Sequence, residues 1–85
     1  QDRNKSYGHP LDNHTQTAYL ITIYLQKKLK TDVKISPEDV CVFHMLTKIS
    51  RMSHSPKRDN IVDIAGYARN IEMIDEERNH RAQVT

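Results

Sequence analysis

This sequence predicts an all-α protein, a compact bundle of three to four helices completed by oligomerisation, and three observations carry that expectation. The 85 residues include only two glycines, and nowhere do apolar and polar residues alternate as a half-buried strand requires. Apolar residues recur instead at spacings of three and four, the period of one helix face. The run Ser36-Pro37-Glu38-Asp39 is a compact helix start. In it Ser36 caps, Pro37 takes the first helical position, and two acids complement the helix dipole.

The elements follow in order. Residues 1–10 are polar and end in Tyr7-Gly8-His9-Pro10, which reads as a turn segment. Asp12 or Asn13 then offers an N-cap for a first helix running to about Lys30. Ala18, Ile21, Leu25 and Leu29 form one stripe of it, while Leu20, Ile23 and Tyr24 fall well outside. So wide an apolar arc exceeds what a surface helix needs and predicts cover on two sides. Thr31 to Ile35 make a connector. The second helix is expected from Pro37 to about Met52, with Val42, Met45, Leu46, Ile49 and Met52 as its core face. His44, Lys48 and Arg51 form a separate polar stripe on it.

Ser53 to Arg58 read as a short turn, with Ser55 (followed by Pro56) or Asp59 as the cap of a third helix. Ile61, Ile64, Ala65, Ala68 and Ile71 are its expected core face; Asp59, Asp63, Gly66 and Asn70 share the opposite side, with Tyr67 at its edge. Residues 74–85 are dense in charge and predict a solvated helical extension that frays at its end. With no internal repeat or low-complexity linker, residues 1–85 read as one domain.

Composition narrows the function classes. Only 36% of residues are hydrophobic, Trp is absent and Phe43 is the sole Phe, so one chain buries a thin core and a homo-oligomer is expected. Thirteen basic and eleven acidic residues, a net charge of +2, are too balanced for nucleic-acid binding by bulk electrostatics. No apolar stretch approaches the ~18 residues of a membrane span, so no membrane partner is expected. Cys41, the sole cysteine, lies in the apolar run Val40-Cys41-Val42-Phe43. That placement predicts a buried, inert thiol and a cytoplasmic setting. There is no GxSxG, P-loop or GxGxxG, and the five histidines lack HxxxH or HExxH spacing.

The chemistry-bearing residues cluster around the second turn. Lys48 and Arg51 are one helical turn apart, as are Asp59 and Asp63. Arg brings a planar fork and Lys a point charge for phosphate. A carboxylate pair can hold Mg²⁺ and leave it waters and room for a phosphate. Asn60, Tyr67 and Gly66 flank that pair, and an interior glycine costs ~1 kcal/mol, so it marks a close approach by a helix or ligand. Tyr7, His9, Asp12 and Asn13 set a ring and polar groups before a helix start, a usual place for anion capture. His44 extends the Lys48/Arg51 stripe. The same charges also fit a lattice of salt bridges with no ligand, and that alternative stays open here.

The ordered set Tyr7-Gly8-His9-Pro10, Asp12-Asn13, Glu38-Asp39, Lys48-Ile49-Ser50-Arg51, Asp59-Asn60 and Asp63-Ile64-Ala65-Gly66-Tyr67-Ala68 resembles a small family of phage and prophage proteins, over roughly residues 5 to 70. That family is similar in turn to the MazG-like all-α nucleoside triphosphate pyrophosphohydrolases. The resemblance implies obligate helical oligomers that hold Mg²⁺ with acids on two helices and remove pyrophosphate from (d)NTPs. The MazG pattern is ExxE on one helix and ExxD on the next. Here Glu38 and Asp39 are adjacent, and Asp59 and Asp63 are four apart. Glu72-Met73-Ile74-Asp75 spells a literal ExxD, but within the charged tail.

Three functions are therefore expected to compete. One is a Mg²⁺-dependent nucleotide pyrophosphohydrolase, with Asp59 and Asp63 on metal, Lys48 and Arg51 on phosphates, and Tyr7 or Tyr67 on base or sugar. The second is a non-catalytic phage sponge that sequesters a phosphorylated nucleotide used as a host immune signal. The third is a helical interaction protein without a small-molecule ligand.

Overall fold

The computed structural model describes residues 8–54 and 57–84. They form three helices and, among the described residues, no strand: α1 (Pro10–Leu29), α2 (Pro37–Met52) and α3 (Arg58–Val84). None is long and apolar enough to cross a membrane. The α2–α3 pair is an antiparallel hairpin with the most extensive seam of the fold, and α1 lies across one face of it.

Each helix boundary has a local cause. The cap of α1 lies three residues before Asp12, the first cap candidate, because His9 takes that place. Its Nδ1 accepts the Leu11 backbone N–H at 3.0 Å, and Pro10 takes the first helical position. Pro10 thus opens the helix rather than closing a turn: its missing N–H is one of the unpaired donors of a first turn anyway. Gly8 precedes the cap at φ 83°, where a side chain would be strained. At the other end Lys30 closes α1 in the left-handed region, at φ 53°. The connector folds back on α1, with Thr22 Oγ1 accepting the Ile35 N–H at 2.8 Å and Gln26 Nε2 donating to the Val33 carbonyl at 3.1 Å. Ser36 caps α2 as expected and forms a full capping box: its Oγ accepts from the Asp39 N–H at 3.0 Å, and its own N–H donates to Asp39 Oδ2 at 2.9 Å. α3 starts at Arg58, so Asp59 is a first-turn residue and not the cap. The other cap candidate, Ser55, lies outside the described residues together with Pro56 and Tyr7.

The core is thin. Leu11, Cys41 and Ile74 form its buried centre, with Tyr67 and Ile71 packed against it, and Val40 and Ala18 are also buried. Two expectations about faces are overturned here. On α2, Val42, Leu46 and Ile49 are exposed, at 41%, 55% and 50%, instead of forming the intrachain core. On α3, Ile61 is 57% exposed, and Ala65 and Ala68 are exposed too. Polar side chains meet along the seam instead, where Glu38 faces Arg78, His44 faces Tyr67 and Lys48 faces Asp63. Helical phasing separates stripes but does not say which stripe a neighbour takes.

The charged extension continues α3 as helix to Val84, and its first residue, Ile74, is fully buried. Arg78 and Arg81 reach across to the first turns of the other two helices, through Glu38 and Asp12. Cations near those helix starts would be unfavourable alone; with an acid interposed, each pairs with the acid that the dipole favours.

A candidate anion-binding cleft

The end of α2, the turn and the start of α3 enclose an open cleft of about 470 Å³, lined by Lys48, Arg51, His54, Lys57, Asp59, Asn60 and Asp63. That volume lies in the range of small-molecule sites. Five of these residues were singled out from the sequence, and the hairpin brings both pairs to one place. Antiparallel pairing does this: on α2 the cations sit in the last two turns, on α3 the acids sit in the first two.

Within the cleft, Lys48 Nζ lies 3.1 Å from Asp63 Oδ2. The lysine side chain is only 18% exposed and that of Asp63 40%, so the pair closes the inner wall. Among the described residues Arg51 and Lys57 make no ion pair. Asp59 makes none either, and it is exposed. Three cations thus face two carboxylates, one of which is matched, and His54 adds a further imidazole donor or acceptor. The cleft also borders the start of α3, whose first N–H groups favour an anion; of these, Asn60 donates to the Lys57 carbonyl at 3.0 Å. His54 and Lys57 escaped the sequence reading because they sit in a turn with no periodicity. The basic character of His54, Lys57 and Arg58 beside Arg51 was the available signal.

Mg²⁺ commonly binds through one or two carboxylates, completing its shell with waters and substrate phosphates. Asp59 and Asp63 meet that minimum. Among the described residues no group of three or more His, Cys, Asp or Glu could hold a metal ion, and Lys48 already occupies one face of Asp63.

The remaining expected site residues lie elsewhere. His44 and Tyr67 stack on one another, with ring centroids 4.7 Å apart and planes within 12°. They stand one turn from Lys48 and Asp63 but do not line the cleft. His14 of α1, which nothing in the sequence marked, completes a three-ring junction at 5.9 Å from His44 and 6.2 Å from Tyr67. Burial, and then the charge of His44, hold His14 below its ordinary range. His9 is spent on capping α1. Asp12 receives two hydrogen bonds from Arg81, at 2.9 and 3.2 Å, and Arg81 also donates to Glu77 at 2.8 Å. The hydrogen bond from Arg81 holds the Asp12 carboxyl below the usual carboxylate range. Asn13 belongs to the same end of α1. Arg81 lies 22 positions beyond Asp59 on one continuous helix, about 33 Å at the helical rise, so the N-terminal set and the cleft cannot share a small ligand within one chain. Cys41 is the buried thiol that was expected: burial, helped by the charge of Glu38, pushes it up to about 11.

Comparison with known proteins places this chain among phage proteins. It belongs to the family described as a domain of unknown function (DUF6378), whose profile matches residues 1–75. It is similar to the Gene 55 protein of Mycobacterium phage D29, at 42% identity over 77 residues, which is 89% of this chain and 47% of that protein. It is similar to the Gene 55 protein of Mycobacterium phage L5, at 42% identity over 67 residues, 78% of this chain and 40% of that protein. The chain therefore spans less than half the length of these curated relatives. No solved structure matches it.

Proposed function

We propose that this member of the DUF6378 phage family binds a small phosphorylated molecule, a nucleotide, in the cleft between the end of α2 and the start of α3. The observation that carries the reading is the excess of cation: among the described residues Arg51 and Lys57 open onto the cleft without an ion pair, while Lys48 is matched to Asp63. Arg69, Arg78 and Arg81 are each held by an acid, whereas Arg51 and Lys57 converge on one concave site. A phosphate would take the guanidinium fork of Arg51 and the ammonium of Lys57, with the first turn of α3 adding N–H donors. The scarcity of acids favours binding over turnover, which is the part a phage protein sequestering a nucleotide signal of its host would require.

A second reading rests on Asp59, which lines the cleft one turn from Asp63 and makes no ion pair among the described residues. Mg²⁺ held there, with the ligand phosphates, would polarise the phosphoryl group and lower the pKa of a bound water. That is the chemistry of a MazG-like pyrophosphohydrolase, and it would need further carboxylates from another copy in a homo-oligomer. In that reading Lys48 orients Asp63, and Arg51 takes charge on the phosphates.

One experiment separates the readings. The protein is titrated calorimetrically with nucleoside triphosphates, dinucleotides and cyclic nucleotides, with and without Mg²⁺, and the products are then separated. Binding that needs Arg51 and leaves the nucleotide intact supports the sink. Release of pyrophosphate that stops in Asp63→Asn supports the hydrolase. Heat from none of the panel, or heat unchanged in Arg51→Ala, leaves only the interaction protein.

A further inference from the structure

What the cleft offers a ligand is nearly all hydrogen-bond donor. Lys48 and Asp63 hold one another, and Asn60 is buried with its N–H on the Lys57 carbonyl. The exposed members of the lining are Arg51, His54, Lys57 and Asp59. They set a five-donor guanidinium, a three-donor ammonium and an imidazole against a single carboxylate. Among the described residues no aliphatic side chain and no Phe or Tyr lines the cleft.

That set suits one half of a nucleotide and not the other. Phosphate oxygens only accept, and they take charge-assisted hydrogen bonds from Arg and Lys. A base has two flat apolar faces and an edge that mixes donors with acceptors, and proteins hold it on aromatic rings or in an apolar slot. The described rings that could serve as a platform are placed elsewhere. Tyr67 lies flat against His44, and Tyr24 carries Lys28 over its ring. Tyr19 lines a separate hollow with Ile35 and Pro37, and Pro37 is eleven positions before Lys48, about 17 Å along α2. Phe43 stands about 140° around α2 from Lys48 and so points away from the cleft. His54 does bring a ring, but a single exposed imidazole covers one face of a base at most, and its N–H serves a phosphate equally well.

We propose that the cleft recognises its ligand through phosphate alone, whatever base is attached, so that its ligand class is the oligophosphate chain, free or ester-linked. The inference rests on the nucleotide reading above and deepens it: the protein holds the phosphates and leaves the base in solvent. Selection among ligands then follows the number and charge of the phosphates.

The test is calorimetric titration of the full chain in EDTA, which silences any metal-dependent turnover, with inorganic triphosphate as the probe. Inorganic triphosphate, ATP, GTP, CTP and UTP should bind within about fivefold of one another, since a stacked base would add roughly that factor or more. Adenosine and guanosine should neither give heat nor displace inorganic triphosphate. Arg51→Ala should weaken inorganic triphosphate and ATP alike, by about tenfold, whereas Lys28→Ala on α1 should change neither. More than fivefold between inorganic triphosphate and any of the four nucleotides, or displacement by a free nucleoside, overturns the inference and leaves the nucleotide reading standing. Heat from none of the phosphate compounds, heat unaffected by Arg51→Ala, or equal losses in Arg51→Ala and Lys28→Ala overturns both.

Discussion

Arg78 grips Glu38 with two parallel hydrogen bonds, of 2.6 and 2.8 Å, across forty positions of sequence. The bond fastens the charged half of α3 to the first turn of α2, beside the Cys41–Ile74 core. A forked guanidinium–carboxylate pair is stronger than a single-point one, but water reaches this one, so its worth is about 1 kcal/mol. Arg78→Lys keeps the charge and loses the fork. Thermal unfolding should show Arg78→Ala lowered by a few degrees, with Arg78→Lys recovering only part. Equal melting temperatures for all three would mean that the pair contributes nothing.

The same pair sets an acid limit on stability. The hydrogen bond from Arg78 holds Glu38 below its ordinary value near 4.5. A carboxylate depressed in the folded state contributes stability above its unfolded pKa and loses it as pH falls through the folded one. Denaturation midpoints should therefore be level above pH 5 on this account and fall below about 4.5. In Glu38→Gln the fall should be shallower. An unchanged slope would assign the acid limit to other carboxylates.

Removing Arg51 and Lys57 should affect ligand and not fold. Neither makes an ion pair among the described residues, so Arg51→Ala and Lys57→Ala should each leave the melting temperature within about a degree. A charge-assisted hydrogen bond to phosphate is worth roughly 1.5–3 kcal/mol, so each change should weaken nucleotide binding about tenfold or more. Lys48→Ala behaves differently, since it strands Asp63 and lowers stability as well. Calorimetry paired with thermal unfolding separates the two patterns. Loss of stability without loss of affinity in Arg51→Ala would point to a structural role instead.

What the sequence made legible were the features written locally. The Ser36 cap, the Pro37 start and the end of α2 need only neighbours within four residues, and the charge pairs of the cleft needed only the assumption of a hairpin. The His9 cap was hidden because Gly8-His9-Pro10 fits both a turn and a helix start, and Nδ1 capping is a less common choice than Asp or Asn. The orientation of α2 and α3 was hidden for a different reason. A thin-core chain can place Val42, Leu46 and Ile49 inward or outward. Phasing groups them on one stripe without saying which way that stripe faces, so it assigned them to the wrong side.

Gly66 tests what approaches the outside of α3. Among the described residues nothing lies within 4 Å of where a Cβ would stand, and the residue is an ordinary helical one. Gly66→Ala should therefore stabilise the subunit by up to ~1 kcal/mol, which in a domain of this size is roughly 4–8 °C. The close approach expected of an interior glycine is not made by this chain itself. If Gly66→Ala raises the melting temperature of the free protein but weakens nucleotide binding, the ligand makes that approach. If it changes the mass in solution instead, another copy does.

The three-ring junction of His14, His44 and Tyr67 gives stability a second pH dependence, above the carboxylate window. Burial of His14, and then the neighbouring charge of His44, hold the His14 imidazole below its ordinary value of 6.5. A histidine depressed in the folded state is neutral there while its unfolded counterpart takes a proton, so the unfolded chain gains as pH falls through 6.5. Stability should be full above that value, decline below it, and level off once pH passes the folded pKa. His14→Phe keeps a flat ring beside the His44–Tyr67 stack and removes the titration, so its stability should be flat from pH 7 to 5.5 while the wild type declines. His44→Phe should move His14 back towards its ordinary value, since it removes the second of the two causes. Nuclear magnetic resonance titration of the His14 Cε1–H reads this directly. An ordinary midpoint for His14 in the wild type, or a decline unchanged in His14→Phe, would assign the neutral-pH dependence to another histidine.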